Sequence, residues 1–389
     1  MVTDFAIQFE NNKSARRDVK LSPSAYLLAW CRLFAQLAEN PEQISESMLN
    51  DLVASTGVPH NNLKAGLIAQ FTGFAKTNRD TFPDIFLENT QHVAIVAAGN
   101  IPGIAIAPAL LLAAAGCPVI VKMAKADQVL LPWLLRLFEK QFGATGISTG
   151  YWQPESEVFD QLLSQAGKVI VFGNDSTISA LKMKWGKNII GFGHKFSIGV
   201  LDVDKMEAHD YHAIAKDTAL YLQSGCLSPQ AFFVKGSNEE VMYHAEKFFT
   251  ALQFLESEFG EADLDTGTAF QRHALIDQLD MLGVTRFANA TGSILVTLDD
   301  NFFPERLLGP FVVQFIPFAN MKALELKLSA LSKWMQGACL YNRNENKPGY
   351  KSLLSKHGCT YIAEPGFMQS PPITWENGGF DLIEKIMES

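Results

Sequence analysis

Cys226 is the side chain in this sequence best placed for covalent chemistry. It stands in LQSGCLSPQ, after a helical stretch and between Gly225 and a Leu-Ser-Pro run. A cysteine in a loop at the end of an element becomes a thiolate more readily than one inside an apolar helix or strand. Cys31 falls in an apolar helical pattern, Cys117 and Cys339 lie beside or within strand patterns, and Cys359 follows Gly358 near another. Local context alone leaves a packing role for Cys226 equally open. The five cysteines are odd in number, scattered and without a CxxC spacing, which argues against zinc and redox motifs and fits a reducing compartment. His209, His212, His244 and His273 form no HxxxH pair, and no metal site is expected.

A nucleophile needs a scaffold, and from His92 onward the pattern supplies one. VAIVAAGN reads as a buried strand and turn, Ile104–Ala115 as an apolar helix, and PVIVK as a second strand. Val129–Phe142 reads as a helix, KVIVFG as a third strand and Ser176–Lys184 as a helix. Short apolar strands alternating with helices predict a doubly wound parallel sheet, whose ligands sit at the carboxyl ends of strands. Asn100, Lys122 and Gly173 all fall at such ends. The alternation continues with strands at Ile198–Leu201, Ser293–Thr297, Phe311–Ile316, Ala338–Tyr341 and Thr360–Ala363. The accompanying helices are expected at His212–Gln223, Glu240–Phe259 and Leu324–Trp334. Before His92 the chain reads as helical, with Ser22 or Ser24 capping a helix through Tyr26–Leu37 and two more helices around Ile44–Ala54 and Asn62–Thr77.

Length and composition bound the rest. A chain of 389 residues favours two domains, and 48% hydrophobic against 19% charged residues excludes a disordered one. A net charge of −9 argues against general nucleic-acid or membrane-surface binding. The start, MVTDFAIQFENNKSARRDVK, lacks the cap and apolar run of a signal peptide. Ile101–Val121 is apolar enough to suggest a membrane span, but Pro102, Pro108, Gly116 and Pro118 break it into loop, helix and strand. A soluble cytoplasmic protein is the expectation.

Taken together, AGNIP (98–102), VIVKMAKAD (119–127), FGNDST (172–177), GFGHKFSIGV (191–200), GCLSP and LLGPFVVQFIPF (307–318) resemble, in order and interval, the aldehyde dehydrogenase superfamily. Cys-x-Ser-Pro-Gln and the closing WENGGFDLI (375–383) make the chain similar to its acyl-CoA reductase family, which includes the LuxC-type reductase subunit of the bioluminescence fatty acid reductase complex. The resemblance covers residues 90 to 380. It implies an α/β, aldehyde dehydrogenase-like fold of two doubly wound parallel-sheet domains with a helical N-terminal segment. Residues 1–198 would hold that segment and the NAD(P)-binding domain, 199–365 the catalytic cysteine domain, and 366–389 a C-terminal segment packing back.

The resemblance also implies roles. Cys226 would carry an acyl thioester, and Asn100 with the Cys226 N–H would hold the oxyanion. Lys122 would contact the adenosine ribose. The helix N-terminus of FGNDST, with Gly173, Asn174 and Ser176, would receive the pyrophosphate, Ser176 capping the helix. Lys125 stands where an acid often repels a 2′-phosphate, so NADPH is expected to be preferred over NADH. Glu305 is a candidate for the nicotinamide ribose, although Arg306-Leu-Leu-Gly-Pro310 displaces the familiar acid by one place. Gly191 replaces the glutamate that activates water in hydrolytic relatives, and GFGHKF keeps only two glycines of the G-x-G-x-x-G fingerprint. The expected reaction is reduction of an acyl-CoA or acyl-carrier thioester, with a fatty acyl group, to an aldehyde. An acyl-activating enzyme and further copies of the chain are candidate partners. The alternatives are a hydrolytic aldehyde dehydrogenase, an acyl-phosphate reductase, or a non-catalytic acyl-binding scaffold. His194 reads as a loop histidine, and FFTALQF (248–254) as core rather than an acyl tunnel.

Overall fold

A computed structural model describes residues 21–82, 85, 87, 92–153, 156–202, 205–343 and 345–388. The expectation for residues 1–20 lies outside them. The chain divides into two compact units: residues 1–56, 70–194 and 372–389, and residues 57–69 and 195–371.

In the first unit, five strands among the described residues form one sheet. They are β1 (Val93–Val96), β2 (Val119–Lys122), β3 (Ile147–Gly150), β4 (Lys168–Phe172) and β5 (Ile189–Phe192), in the order β3-β2-β1-β4-β5. Every pairing is parallel. The Val/Ile runs of β1, β2 and β4 are buried, as a sheet covered on both faces requires. β3 and β5 escaped the sequence reading because ISTG and IIGF, with their glycines and the Ser-Thr of β3, lack an unbroken apolar run. Ile101–Val121 is a bend, the helix Ile106–Ala114 and β2, with Gly116 turning the chain at φ +87°. No described helix is long and apolar enough to cross a membrane. Ser22 caps the helix Pro23–Glu39, accepting from the Ala25 N–H at 3.2 Å. That helix buries Trp30, which stacks on Phe138 of the helix Leu130–Phe142 with centroids 4.2 Å apart. Residues 372–388 pack in this unit, where the Ile373 N–H donates to Thr77 Oγ1 at 2.9 Å and Phe380 meets Phe192.

In the second unit, the described strands are β6 (Phe196–Asp202), β7 (Pro229–Lys235), β8 (Arg286–Ala288), β9 (Leu295–Leu298), β10 (Val312–Phe318), β11 (Met335–Asn342) and β12 (Tyr361–Ala363). Their order is β12-β11-β6-β7-β10-β9-β8. All neighbours run parallel except β8 and β9, which are antiparallel. β8 was not anticipated from the sequence, and it pairs antiparallel at the edge of an otherwise parallel sheet because its connection to β9 is far too short for a crossover helix. Phe248, from the stretch considered as a tunnel, is fully buried against Phe232 and Phe315 at 5.1 and 5.3 Å, so it is core.

Two helix boundaries also differ from expectation. The helix expected over His212–Gln223 is Ala208–Ala219, and the chain then turns left-handed at Tyr221–Gln223. The helix expected to run to Trp334 is Met321–Ser329, started by Asn320, whose side chain accepts from the Ala323 N–H.

Candidate active site

In the second unit, the Ser228 N–H donates to the Gly225 carbonyl at 2.9 Å, closing a turn with Cys226 and Leu227 at its centre. Cys31, Cys117, Cys339 and Cys359 are buried, and Cys226 is the one residue of the five, all of them described, that is not fully so; none of the five forms a disulfide. Burial still pushes the Cys226 thiol up to about 11, while the N–H groups of Cys226 and Leu227 donate to the sulfur and pull the other way. Ser197 Oγ, at the start of β6, donates to the Cys226 carbonyl at 2.8 Å. The peptide after the sulfur is therefore fixed by the sheet.

The approach to this turn is strained. Tyr221, Leu222 and Gln223 lie at φ 55°, 53° and 59°, three successive non-glycine residues in the left-handed region. Each such residue costs about 1–2 kcal/mol, so surrounding contacts must impose the geometry. Asn62 supplies one, accepting from the Tyr221 N–H at 2.7 Å and donating to the Ala219 carbonyl at 2.8 Å. Gln223 supplies another, its buried amide donating at 3.0 Å to the carbonyls of both Pro229 and Val312. The Tyr221 ring lies over Gly66 of the helix His60–Ala75, where an added Cβ would come within 2.6 Å of it.

The loop expected to carry Glu305 also lies in this unit. Glu305 is exposed in a single turn, Pro304–Arg306. Its surroundings are rigid: Gln314 donates to the Phe303 carbonyl at 2.7 Å and accepts from the Phe303 N–H at 2.8 Å. Arg306 bridges to Asp299 and covers the Phe303 ring at 4.2 Å. Arg272, with no exposed surface, donates to the carbonyls of Leu308, Pro310, Gly292 and Ser293. Phe311, which ends the run, is itself left-handed at φ 59°.

In the first unit, the loops after β1, β2 and β4 gather at the carboxyl edge of the sheet. The order β3-β2-β1-β4-β5 puts the reversal of strand order between β1 and β4, where open α/β sheets bind ligands. Asn100 is exposed in the loop after β1. Buried Asp127 ties this loop to the one after β2, accepting from the Gly103 N–H at 2.8 Å and the Leu130 N–H at 3.2 Å. Burial raises the Asp127 pKa, and those amides partly offset it. Gly99 packs its backbone so closely on Ala126 and Ala124 that a Cβ would stand 3.2 and 3.3 Å from theirs. Lys122 is half-buried at the end of β2, its pKa lowered by burial, with its ammonium 5.5 Å from the Tyr151 ring centroid. Lys125 is exposed.

The helix Asp175–Trp185 follows β4 and Gly173. Its N-cap is Asn174, whose side chain accepts from the Thr177 N–H at 2.8 Å; Ser176 donates to that same side chain at 2.7 Å. Ser176 is therefore not the cap: it sits inside the first turn, where its own backbone is already helical. With Thr177 capped and Asp175 in the first turn, this terminus offers an anion less than FGNDST suggested. Gly191 and Gly193 have steric reasons to be glycine. A Cβ on Gly191 would meet Ile178 at 2.5 Å, and one on Gly193 would meet Asp175 at 2.4 Å. A side chain at residue 191 would therefore have to displace Ile178. His194 is an exposed loop residue. No group of side chains able to hold a metal occurs among the described residues.

Residues 88–384 match the acyl-CoA reductase (LuxC) family. The chain belongs to that family. It is an oxidoreductase family, and its fold here is that of the aldehyde dehydrogenases. Aldehyde dehydrogenase C of Pseudomonas syringae, solved with NAD+ and octanal, has a TM-score of 0.64 at 12% identity, covering 93% of this chain and 79% of that one. A NAD-dependent benzaldehyde dehydrogenase from Corynebacterium glutamicum has a TM-score of 0.62 at 14% identity, covering 93% and 85%. A putative methylmalonate-semialdehyde dehydrogenase from Sinorhizobium meliloti, complexed with NAD, gives 0.64 at 15%, covering 98% and 86%. No curated protein matches the chain in sequence.

Sequence reasoning missed the groups that hold these loops: Asn62, Asp127, Ser197, Gln223 and Arg272. Each lies far along the chain from the loop it serves, or reads as an ordinary polar residue. The one available signal was a polar residue inside an apolar run, as Ser197 is in KFSIGV.

Proposed function

We propose that this chain reduces an acyl thioester, from acyl-CoA or an acyl carrier, to an aldehyde through an acyl-enzyme on Cys226, with NADPH as the hydride source. The observation that carries the reading is the acyl-CoA reductase family match over residues 88–384. Cys226 attacks the thioester carbonyl carbon, the bond from that carbon to the carrier sulfur breaks, and the carrier leaves as a thiol. The Cys226 N–H, with Asn100 in the role its resemblance implies, stabilises the negative oxygen; one such donor is typically worth ~10²–10³ in rate. A bound reduced nicotinamide would supply the hydride that brings the acyl carbon to the aldehyde oxidation level. The Cys226–carbon bond then breaks, releasing the aldehyde and returning the sulfur.

The first unit fits a dinucleotide in its strand order and in Lys122, a desolvated cation beside a strand-order reversal. Gly173 leaves backbone accessible after β4. Asn174 and Ser176, engaged with each other and with Thr177, would shape the pyrophosphate site rather than bind it, and Glu305 is the candidate for the nicotinamide ribose. Exposed Lys125 in place of an acid favours the 2′-phosphate of NADPH by ~1 kcal/mol in water. Lys125→Glu should therefore lower the NADPH-to-NADH ratio of kcat/KM several-fold, and an unchanged ratio removes Lys125 from this role. Five cysteines, none in a disulfide, suit a reducing, cytoplasmic setting. An acyl-activating enzyme would supply the donor, and self-association remains part of the proposal.

Intact-mass spectrometry with a panel of acyl-CoAs and no cofactor tests the reading. One acyl adduct should form, map to Cys226, and persist, because Gly191 provides no base for its hydrolysis and general-base help is commonly worth ~10²–10⁴-fold. Acylation of another cysteine, or rapid release of free acid, would contradict it. Absence of any adduct would favour the scaffold reading instead.

A further inference from the structure

A chain of buried polar groups outside the reaction itself leads to the Cys226 turn. Gln369 is 5% exposed, and its amide nitrogen donates to Ser228 Oγ at 3.0 Å and to the Asp217 carbonyl at 3.2 Å. Ser228, with no exposed surface, closes the turn that holds Cys226. A Cβ on Gly225, the first residue of that turn, would meet Ser228 Oγ at 3.3 Å and Gln369 Oε1 at 3.4 Å, so the amide lies directly against it.

The segment carrying Gln369 is gripped from two sides. Asp217, 1% exposed near the end of the helix Ala208–Ala219, accepts from the Gly366 N–H at 2.7 Å and the Met368 N–H at 2.9 Å, one bond to each carboxyl oxygen. The Tyr361 hydroxyl lies between the carbonyls of Phe367 and Ser370, at 2.7 and 2.9 Å. Burying this much polarity is costly unless each partner is met in one geometry, so the network specifies a single position for the Gln369 amide. Ser197 fixes the carbonyl of Cys226 from the sheet side. Gln369 fixes the other end of the turn.

We propose that Gln369, seated by Asp217, is a positioning residue for Cys226: through Ser228 it sets the direction of the Cys226 N–H toward the oxyanion formed on acylation. This rests on the proposed nucleophilic role of Cys226 but not on the identity of the acyl donor. The probe is therefore p-nitrophenyl acetate, whose attack by a thiol passes through the same oxyanion without a carrier. Iodoacetamide is the control, since its displacement develops no oxyanion.

Gln369→Met keeps length and volume while removing the donor. It should slow Cys226 acetylation by about 10- to 100-fold, the scale of a misaimed catalytic group, while alkylation changes less than about threefold. In a Ser228→Ala background the same substitution should have little further effect, because its route to Cys226 is gone. Unchanged acetylation, equal loss in both reactions, additive effects of the two substitutions, or no acetylation of wild-type Cys226 would each overturn the proposal. Acetylation by the ester without reaction with acyl-CoAs would sink the proposed function and leave the positioning role standing.

Discussion

A thiol held up at about 11 carries a thiolate in roughly one molecule in 10⁴ at neutral pH, so Cys226 waits as the neutral form. Only the thiolate attacks. The rate of iodoacetamide alkylation at Cys226 should therefore rise about tenfold for each pH unit from 7 to 9, with no plateau in that range. A plateau below pH 9 would mean that a neighbouring group takes the proton, contrary to the burial argument. The sequence singled out Cys226 by its place in a loop; it is the one cysteine of the five that is not fully buried, and burial makes its thiol less acidic. Cys359 is also pushed up, to about 12, but is buried. The sequence did not reveal Gln369 or Asp217, because a glutamine in FMQS and an aspartate in a helix carry no periodic signal. Their roles arise from contacts 141 and about 150 positions along the chain.

Elements were legible where apolar runs were long. β1, β2, β4 and β10 were each anticipated, while β7 was not, although it adjoins the candidate nucleophile. β7 begins at Pro229, a residue tolerated at the first position of a strand but read in sequence as a breaker. The helix Thr266–Met281 was missed because its inner face includes fully buried Arg272 beside only a few aliphatic residues. The left-handed turn was invisible for a deeper reason: nothing in YLQ favours φ above zero, and Asn62 and Gly66 from another helix impose it. Gly66→Ala tests that imposition. In an open helix the change would stabilise by up to about 1 kcal/mol. Here the new methyl meets the ring of Tyr221, which is 1% exposed, and overpacking commonly costs about 1–3 kcal/mol. The clash should win. Thermal unfolding should begin earlier and Cys226 acylation should slow together, and a more stable, fully active variant would refute the account.

At the scale of the whole molecule, burial makes several acids weaker than their ordinary range. Burial raises the pKa of Asp127, Asp217, Glu256 and Asp299, and Asp217 reaches about 7 despite amide donors that favour its charged form. In the unfolded chain an aspartate loses its proton near 3.9. Between those values the folded protein keeps a proton that the unfolded chain has released. The folded state binds more protons there, so stability falls as pH rises. The contribution of Asp217 is complete below about pH 4 and is lost as pH climbs through about 7, with little further change above pH 8. For this group alone the loss amounts to a few kcal/mol at the order of magnitude. Asp217→Asn removes the titration but keeps one acceptor for the strap that bears Gln369. Between pH 5 and 8 the unfolding midpoint of the wild type should fall more steeply than that of the variant, the two curves converging toward alkaline pH. Parallel curves would mean that Asp217 is already ionised throughout this range, with its two amide bonds outweighing its burial.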